Sequence, residues 1–183
     1  MNKRTAHRIT KLAVTLAAAA IAAIIAAQNI DIDPAAPSSE RPGDSTTQQV
    51  TAVVDGDTIK AVDAAGTVNR VRVIGIDTPE IGRGKTPDEC WAQEARTALV
   101  DLLDGKDVEL VSDPSQGDVD RYGRLLRHLY TDTGNVAEQL LQQGAGYEYT
   151  YSKPYTGQAE FRDAESAARA AGAGLWGACD PAN

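Results

Sequence analysis

Apolar and polar positions alternate from Val50 to Val62 and again from Thr67 to Ile76, with β-branched side chains at many apolar positions. A period of two with such residues predicts two strands, and the polar stretch from Asp63 to Thr67 predicts the turn between them. The spacing becomes helical after Thr86: Ala92, Ala95, Leu99 and Leu102 or Leu103 share one face. Thr86 with Glu89 forms a capping-box pattern, Pro87 suits a first turn, and Gly105 suits the stop. Lys106–Asp113 and Gly123–Thr131 read as further strands. A short helix follows, with Asn135 and Glu138 at its start and Gly144 at its end. A last helix from about Gly157 to Ala171 turns Phe161, Ala164 and Ala168 inward. About five strands, one helix inserted after the third and two helices at the end predict an α+β domain. A small closed or partly open barrel is the simplest way for so short a sheet to hide its edges.

This pattern stops short of the N-terminus. Lys3, Arg4, Arg8 and Lys11 precede an uncharged run from Leu12 to Ala27. That run is shorter than the ~20 residues that comfortably span a bilayer. Residues 1–27 therefore read as a secretory signal in preference to a permanent membrane anchor, and the protein as secreted or retained in the cell envelope. Residues 28–49, rich in Pro, Ser, Thr and Asp, bury too little to offset the entropy of ordering and read as a disordered linker, with the folded domain at 50–183.

Composition narrows the chemistry. The 183-residue chain carries a formal net charge of −8, which excludes a general basic field for gripping nucleic acid but leaves room for arginines at one site. Its two cysteines, Cys90 and Cys179, predict a disulfide in an exported protein. With His128 the only histidine beyond the N-terminal segment, a structural zinc site is excluded.

Two charged stretches are not explained by strand formation alone. Asp55 and Asp57 in "VVDGDTI", and Asp77 and Glu80 in "IDTPE", each suit a turn when taken singly. If the two strands pair, Asp57 and Asp77 converge with Glu80 nearby. Carboxylates so placed take up protons unless a cation neutralises them, and an oxygen-only set selects calcium or magnesium. The Thr78 carbonyl could add a neutral ligand. Arg72 lies five positions before Asp77, so a common site requires a bend, for which Gly75 is the natural place. Arg124, in "DRYGRLL", supplies a second guanidinium. Two arginines opposite a metal and a carboxylate suit phosphodiester hydrolysis, in which negative charge grows on the phosphorus oxygens.

The stretches "VVDGDTIKA", "RVRVIGIDTPE", "DRYGRLL", "AEQLLQQGAGYEYTY" and "AGAGLWG" resemble, in order and approximate spacing, the staphylococcal nuclease family over about residues 50–176. The resemblance implies a five-stranded OB-fold β-barrel with three α-helices and a calcium-dependent phosphodiesterase acting on DNA and RNA. It implies Asp57, Asp77 and the Thr78 carbonyl as Ca2+ ligands, Glu80 as the residue that activates water, and Arg72 and Arg124 as the transition-state arginines. It also implies that Tyr122, Tyr149 and Tyr151 line the nucleotide pocket. The loop after Glu80, the segment "YTYSKPY" and the acidic total depart from the type enzyme, so weaker, calcium-dependent substrate binding with less non-specific adhesion is expected. A monomer with no obligate protein partner is expected, touching a membrane only if the N-terminal segment stays uncleaved. His128, Trp91 and Trp176 read as packing residues, and Asp118 and Asp120 as a solvated turn. The competing readings are a non-catalytic OB-fold module that binds nucleic acid or protein, and an envelope protein that uses calcium structurally. The first needs no such set of acids and arginines, and the second leaves both arginines idle.

Overall fold

The computed structural model describes residues 41–103 and 106–179. The segment read as a signal, the linker up to residue 40 and the helix stop at Gly105 lie outside these described residues. The strands are β1 (Ser45–Val53), β2 (Thr58–Val62), β3 (Val68–Val73), β4 (Gly75–Asp77), β5 (Asp107–Val111), β6 (Leu125–Thr131), β7 (Gly134–Asn135) and β8 (Tyr147–Tyr149). The helices are α1 (Ala92–Leu103), α2 (Val136–Gln142), α3 (Gln158–Ala171) and the four-residue α4 (Leu175–Ala178).

Strand β1 pairs antiparallel with both β2 and β5, β2 with β3, and β5 with β6. Parallel pairing of β3 with β6, Arg72 opposite Leu126, closes the ring. The fold is therefore the expected α+β arrangement, a closed five-stranded mixed barrel with three principal helices. Closure removes the free edges that so short a sheet would otherwise expose. Ile59, Val71, Val73, Leu110 and Leu129 fill the core with Leu99 of α1, Leu140 and Leu141 of α2, and Phe161 of α3. Each such burial contributes roughly 1.5–3 kcal/mol.

Three boundaries differ from the sequence reading. The first strand begins at Ser45, not Val50: Ser45–Gln49 pair with β5, so the end of the expected linker is barrel wall. Its polar, mostly exposed side chains hide it from an apolar pattern. The stretch Val50–Val62 is two strands, broken where Val54 N–H donates to the Thr58 carbonyl at 2.8 Å. Helix α1 starts at Ala92, because the Glu89 carboxylate accepts the Glu80 N–H at 2.8 Å and does not complete a capping box.

The break between β3 and β4 falls where it was expected. Gly75 has φ +87°, and a Cβ there would lie 2.6 Å from Phe161 and 2.7 Å from Tyr155. Only glycine accepts both the conformation and the space. The bend frees β4 to leave the barrel ladder and pair with β8, Gly75 opposite Tyr149.

Candidate active site

The first half of the site forms around the Gly75 bend. Arg72 turns back over it: Nη1 donates to the Val73 carbonyl at 2.6 Å and the Ile76 carbonyl at 2.5 Å, and Nη2 to Asp77 Oδ1 at 2.6 Å. The same Nη2 lies 3.2 Å from Asp57 Oδ2. The β1–β2 turn and the β4 end are thus joined through one guanidinium, and Asp57 and Asp77 converge as the sequence predicts. Asp57 is buried; its Oδ1 accepts the Thr58 hydroxyl at 2.9 Å and its Oδ2 accepts the Thr78 N–H at 3.2 Å. Burial pushes the Asp57 carboxyl up to about 6, with Asp55 adding to the shift and Arg72 opposing it. Asp55 has the turn role considered for it, accepting the Asp57 N–H at 3.2 Å.

The second half is built from the segment before β6. Asp120 Oδ1 accepts the N–H groups of Tyr122 and Arg124 at 2.8 and 2.9 Å, and Oδ2 pairs with Arg124 Nε at 2.6 Å. Asp120 is therefore a structural anchor where a solvated turn was expected, its carboxyl held low by these hydrogen bonds against the opposing effect of burial. Arg124 Nη1 reaches the Thr58 hydroxyl at 3.3 Å. Since that hydroxyl donates to Asp57 and accepts from Arg124, the fully buried Thr58 ties the two halves together.

Between them lies a cleft of about 600 Å³ lined by Arg72, Asp77, Glu80 and Arg124 and by Tyr122, Tyr149 and Tyr151. Tyr122 and Tyr151 are largely exposed, and the Tyr149 ring centroid lies 5.8 Å from the Arg72 guanidinium carbon. Seven of the nine residues expected at the site thus face one cleft; Asp57 and Thr78 lie buried behind its Arg72 edge. Glu80 sits beyond the end of β4, and its carboxyl is pushed up by partial burial and by Asp55, Asp77 and Glu89.

The loops of the far wall meet at Asp113, a residue that the sequence reading passed over. Its carboxylate accepts the Ser115 N–H and hydroxyl at 2.8 and 2.7 Å, the Thr156 N–H at 2.7 Å and His128 Nε2 at 3.0 Å. These bonds overcome desolvation and hold Asp113 down at about 2, while burial lowers His128. His128 is thus the structural residue expected, fully inside. Thr58 was missed and Glu89 misread as a cap because each acts on another residue of the site through a tertiary contact, and Asp113 was missed because it acts by joining loops distant in sequence. Cys90 and Cys179 form the expected disulfide.

The donor chemistry fits a hard divalent cation: Asp57 and Asp77 approach a common cationic group, and the buried Asp57 carboxyl carries an electrostatic cost that a cation would relieve. Among the described residues, no three acidic, histidine or cysteine side chains gather tightly enough to enclose an ion unaided. The Thr78 carbonyl, water and a phosphate oxygen would have to complete the shell.

A family model described as staphylococcal nuclease homologue matches residues 70–178. A probable staphylococcal-like nuclease of Oryza sativa subsp. japonica, CAN2, is 37% identical over 112 residues, covering 61% of this chain and 27% of its own length. The thermonuclease of Staphylococcus hyicus is 32% identical over 130 residues, covering 71% of this chain and 75% of its own. The Bacillus subtilis endonuclease YncB is 34% identical over 130 residues, covering 67% and 58%. The chain thus spans between 27% and 75% of the length of these three relatives.

Proposed function

Because this chain belongs to the staphylococcal nuclease family, we propose that it hydrolyses phosphodiester bonds of DNA, RNA or both in the cleft between Arg72 and Arg124, with Ca2+ as its cofactor. The observation that carries this reading is the pairing of two anchored guanidiniums with Glu80 along one cleft.

Asp57, Asp77 and the Thr78 carbonyl would hold calcium, whose contribution when bound is to neutralise the acids and polarise a phosphoryl oxygen. Arg124 spends Nε on Asp120 and one Nη1 hydrogen on Thr58, which leaves Nη2 to donate to the phosphate. Arg72, fixed at Nη1 and Nη2, lines the same cleft. Donors held in this way stabilise charge that develops on the phosphoryl oxygens without reorganising at the moment of reaction. Glu80 orients the attacking water and takes its proton; its raised carboxyl is a better base than an ordinary glutamate. Tyr149 and Tyr151 offer ring faces to a base, and the Tyr122 hydroxyl offers a donor to phosphate. The net charge of −8 implies that binding is concentrated in this cleft. Export directed by residues 1–27, with residues 28–40 as spacer, and action as a monomer belong to the same proposal.

The test is hydrolysis of single-stranded DNA and RNA by the full chain in calcium and then in excess chelator, beside Glu80→Gln. Calcium-dependent cleavage that drops in the variant by on the order of 10²-fold or more supports the mechanism. A folded, disulfide-intact, calcium-supplied protein that binds single strands without cutting them would replace this reading with that of a binding module.

A further inference from the structure

We propose that Glu89 is a positioning residue for Glu80, and that the Cys90–Cys179 disulfide keeps Glu89 in place by anchoring it to the C-terminal helix. The proposal rests on the role of Glu80 given above.

Glu80 lies three residues past the end of β4, where no barrel ladder holds its backbone. Two hydrogen bonds to one residue do so instead. The Glu80 N–H donates to Glu89 Oε2 at 2.8 Å, and the Glu89 N–H donates to the Glu80 carbonyl at 3.0 Å. Together they close the base of the loop between the two residues, whose stretch from Arg83 to Cys90 is exposed. A carboxylate bound to a backbone N–H makes a strong, directional bond, so the clasp fixes where the Glu80 chain leaves the backbone.

The clasp itself sits in an exposed turn and needs an anchor. Cys90 follows Glu89 directly and is bonded to Cys179, 89 residues away in sequence. Cys179 follows α4, which is seated by the buried Leu175, whose N–H donates to the Gly144 carbonyl at 2.9 Å. The covalent link therefore carries the fixed position of α4 to the exposed turn. The next residue, Trp91, has φ +74°, an uncommon backbone for a large side chain that its surroundings must impose. A dithiol reductant would undo the anchor: Cys90 and Cys179 each take up one electron and one proton as the dithiol is oxidised to its own disulfide.

Steady-state kinetics and NMR-detected amide exchange at Glu80 would be measured on the full chain and on Glu89→Ala, Glu89→Gln and the double variant Cys90→Ser/Cys179→Ser, with melting temperature as the check on folding. In Glu89→Ala the Glu80 amide should exchange at least about tenfold faster and kcat should fall roughly 10–100-fold, the scale of a small misplacement of a catalytic group, while KM moves less than about twofold. Glu89→Gln retains an oxygen acceptor and should restore most of both. The double variant, and the wild type treated with a dithiol, should lie between. An unchanged Glu80 amide in Glu89→Ala, or a loosened amide with unchanged kcat, would overturn the positioning role. An inactive wild type would overturn the nuclease reading instead, while the exchange result still decides whether the clasp exists. Should the double variant fail to fold, Glu89→Ala, which keeps the disulfide, carries the test.

Discussion

The two arginines that line the cleft are held in opposite ways. Arg72 lies on the strand that closes the barrel and commits Nη1 to two carbonyls and Nη2 to two carboxylates, one of them the buried Asp57. Arg124 is held by Asp120, four residues before it, and by the Thr58 hydroxyl. Arg72 therefore belongs to the charge balance of the interior as well as to the cleft, whereas Arg124 belongs to a locally folded loop. Two residues given the same task in the proposed mechanism should respond differently to the same substitution.

The largest expected effect separates them. Arg72→Lys cannot reproduce four fixed contacts with one ammonium, and it weakens the compensation of the buried Asp57 charge. It should lower kcat/KM by on the order of 10³ and stability by about 3 kcal/mol. Arg124→Lys should lower kcat/KM by about 10² with less than about 1 kcal/mol of stability lost, because its pair with Asp120 is local and partly exposed. Paired kinetics and urea unfolding check both values; equal losses of stability would remove the distinction.

A smaller effect sets the two halves against each other in pH. The folded value of Asp57, about 6, lies above the ordinary 3.8, so its stabilising contribution is complete below about pH 4 and is lost as pH rises through about 6. The folded value of Asp113, about 2, lies below the ordinary 3.8, so its contribution is present above about pH 4 and is lost as pH falls through about 2. Each window is worth roughly 2–3 kcal/mol. Urea unfolding in chelator, with Asp57→Asn and Asp113→Asn subtracted from wild type, should give slopes of opposite sign; slopes of one sign would contradict the assignment. The smallest effect belongs to the exposed Tyr151: Tyr151→Ala should raise KM about threefold for single-stranded DNA and leave kcat and melting temperature within error.

The residues that could be placed from sequence are those whose conformation is written locally. Gly75 marks the bend because only glycine suits it, and the bend brings Arg72 to Asp77. Asn135 caps α2 as its residue type predicts, accepting N–H groups at 2.9 and 3.2 Å. Residues that serve a distant partner were hidden or misread. Glu89 has the spacing of a helix cap but bonds to Glu80, so the helix starts late. Ser45–Gln48 have no apolar signature, yet β5 supplies their hydrogen bonds. A fragment cut at Gln49 would lose that wall. Thr58 looks like any strand threonine until Arg124, 66 residues on in sequence, reaches its hydroxyl.

The parallel ladder between β3 and β6 also sets the order in which the machine comes into being. It sets Val71 opposite Leu125 and Arg72 opposite Leu126, and Arg124 immediately precedes that register. The chain between the partners contains α1, the Glu80 loop and β5; together with the still longer span that β1–β5 pairing closes, this contact is one of the two costly loop closures of the barrel and belongs late in folding. Until it forms, the two guanidiniums do not line one cleft. A newly made or partly unfolded chain thus holds every side chain of the proposed site and lacks their arrangement, so the proposed activity arrives only with a late step of folding.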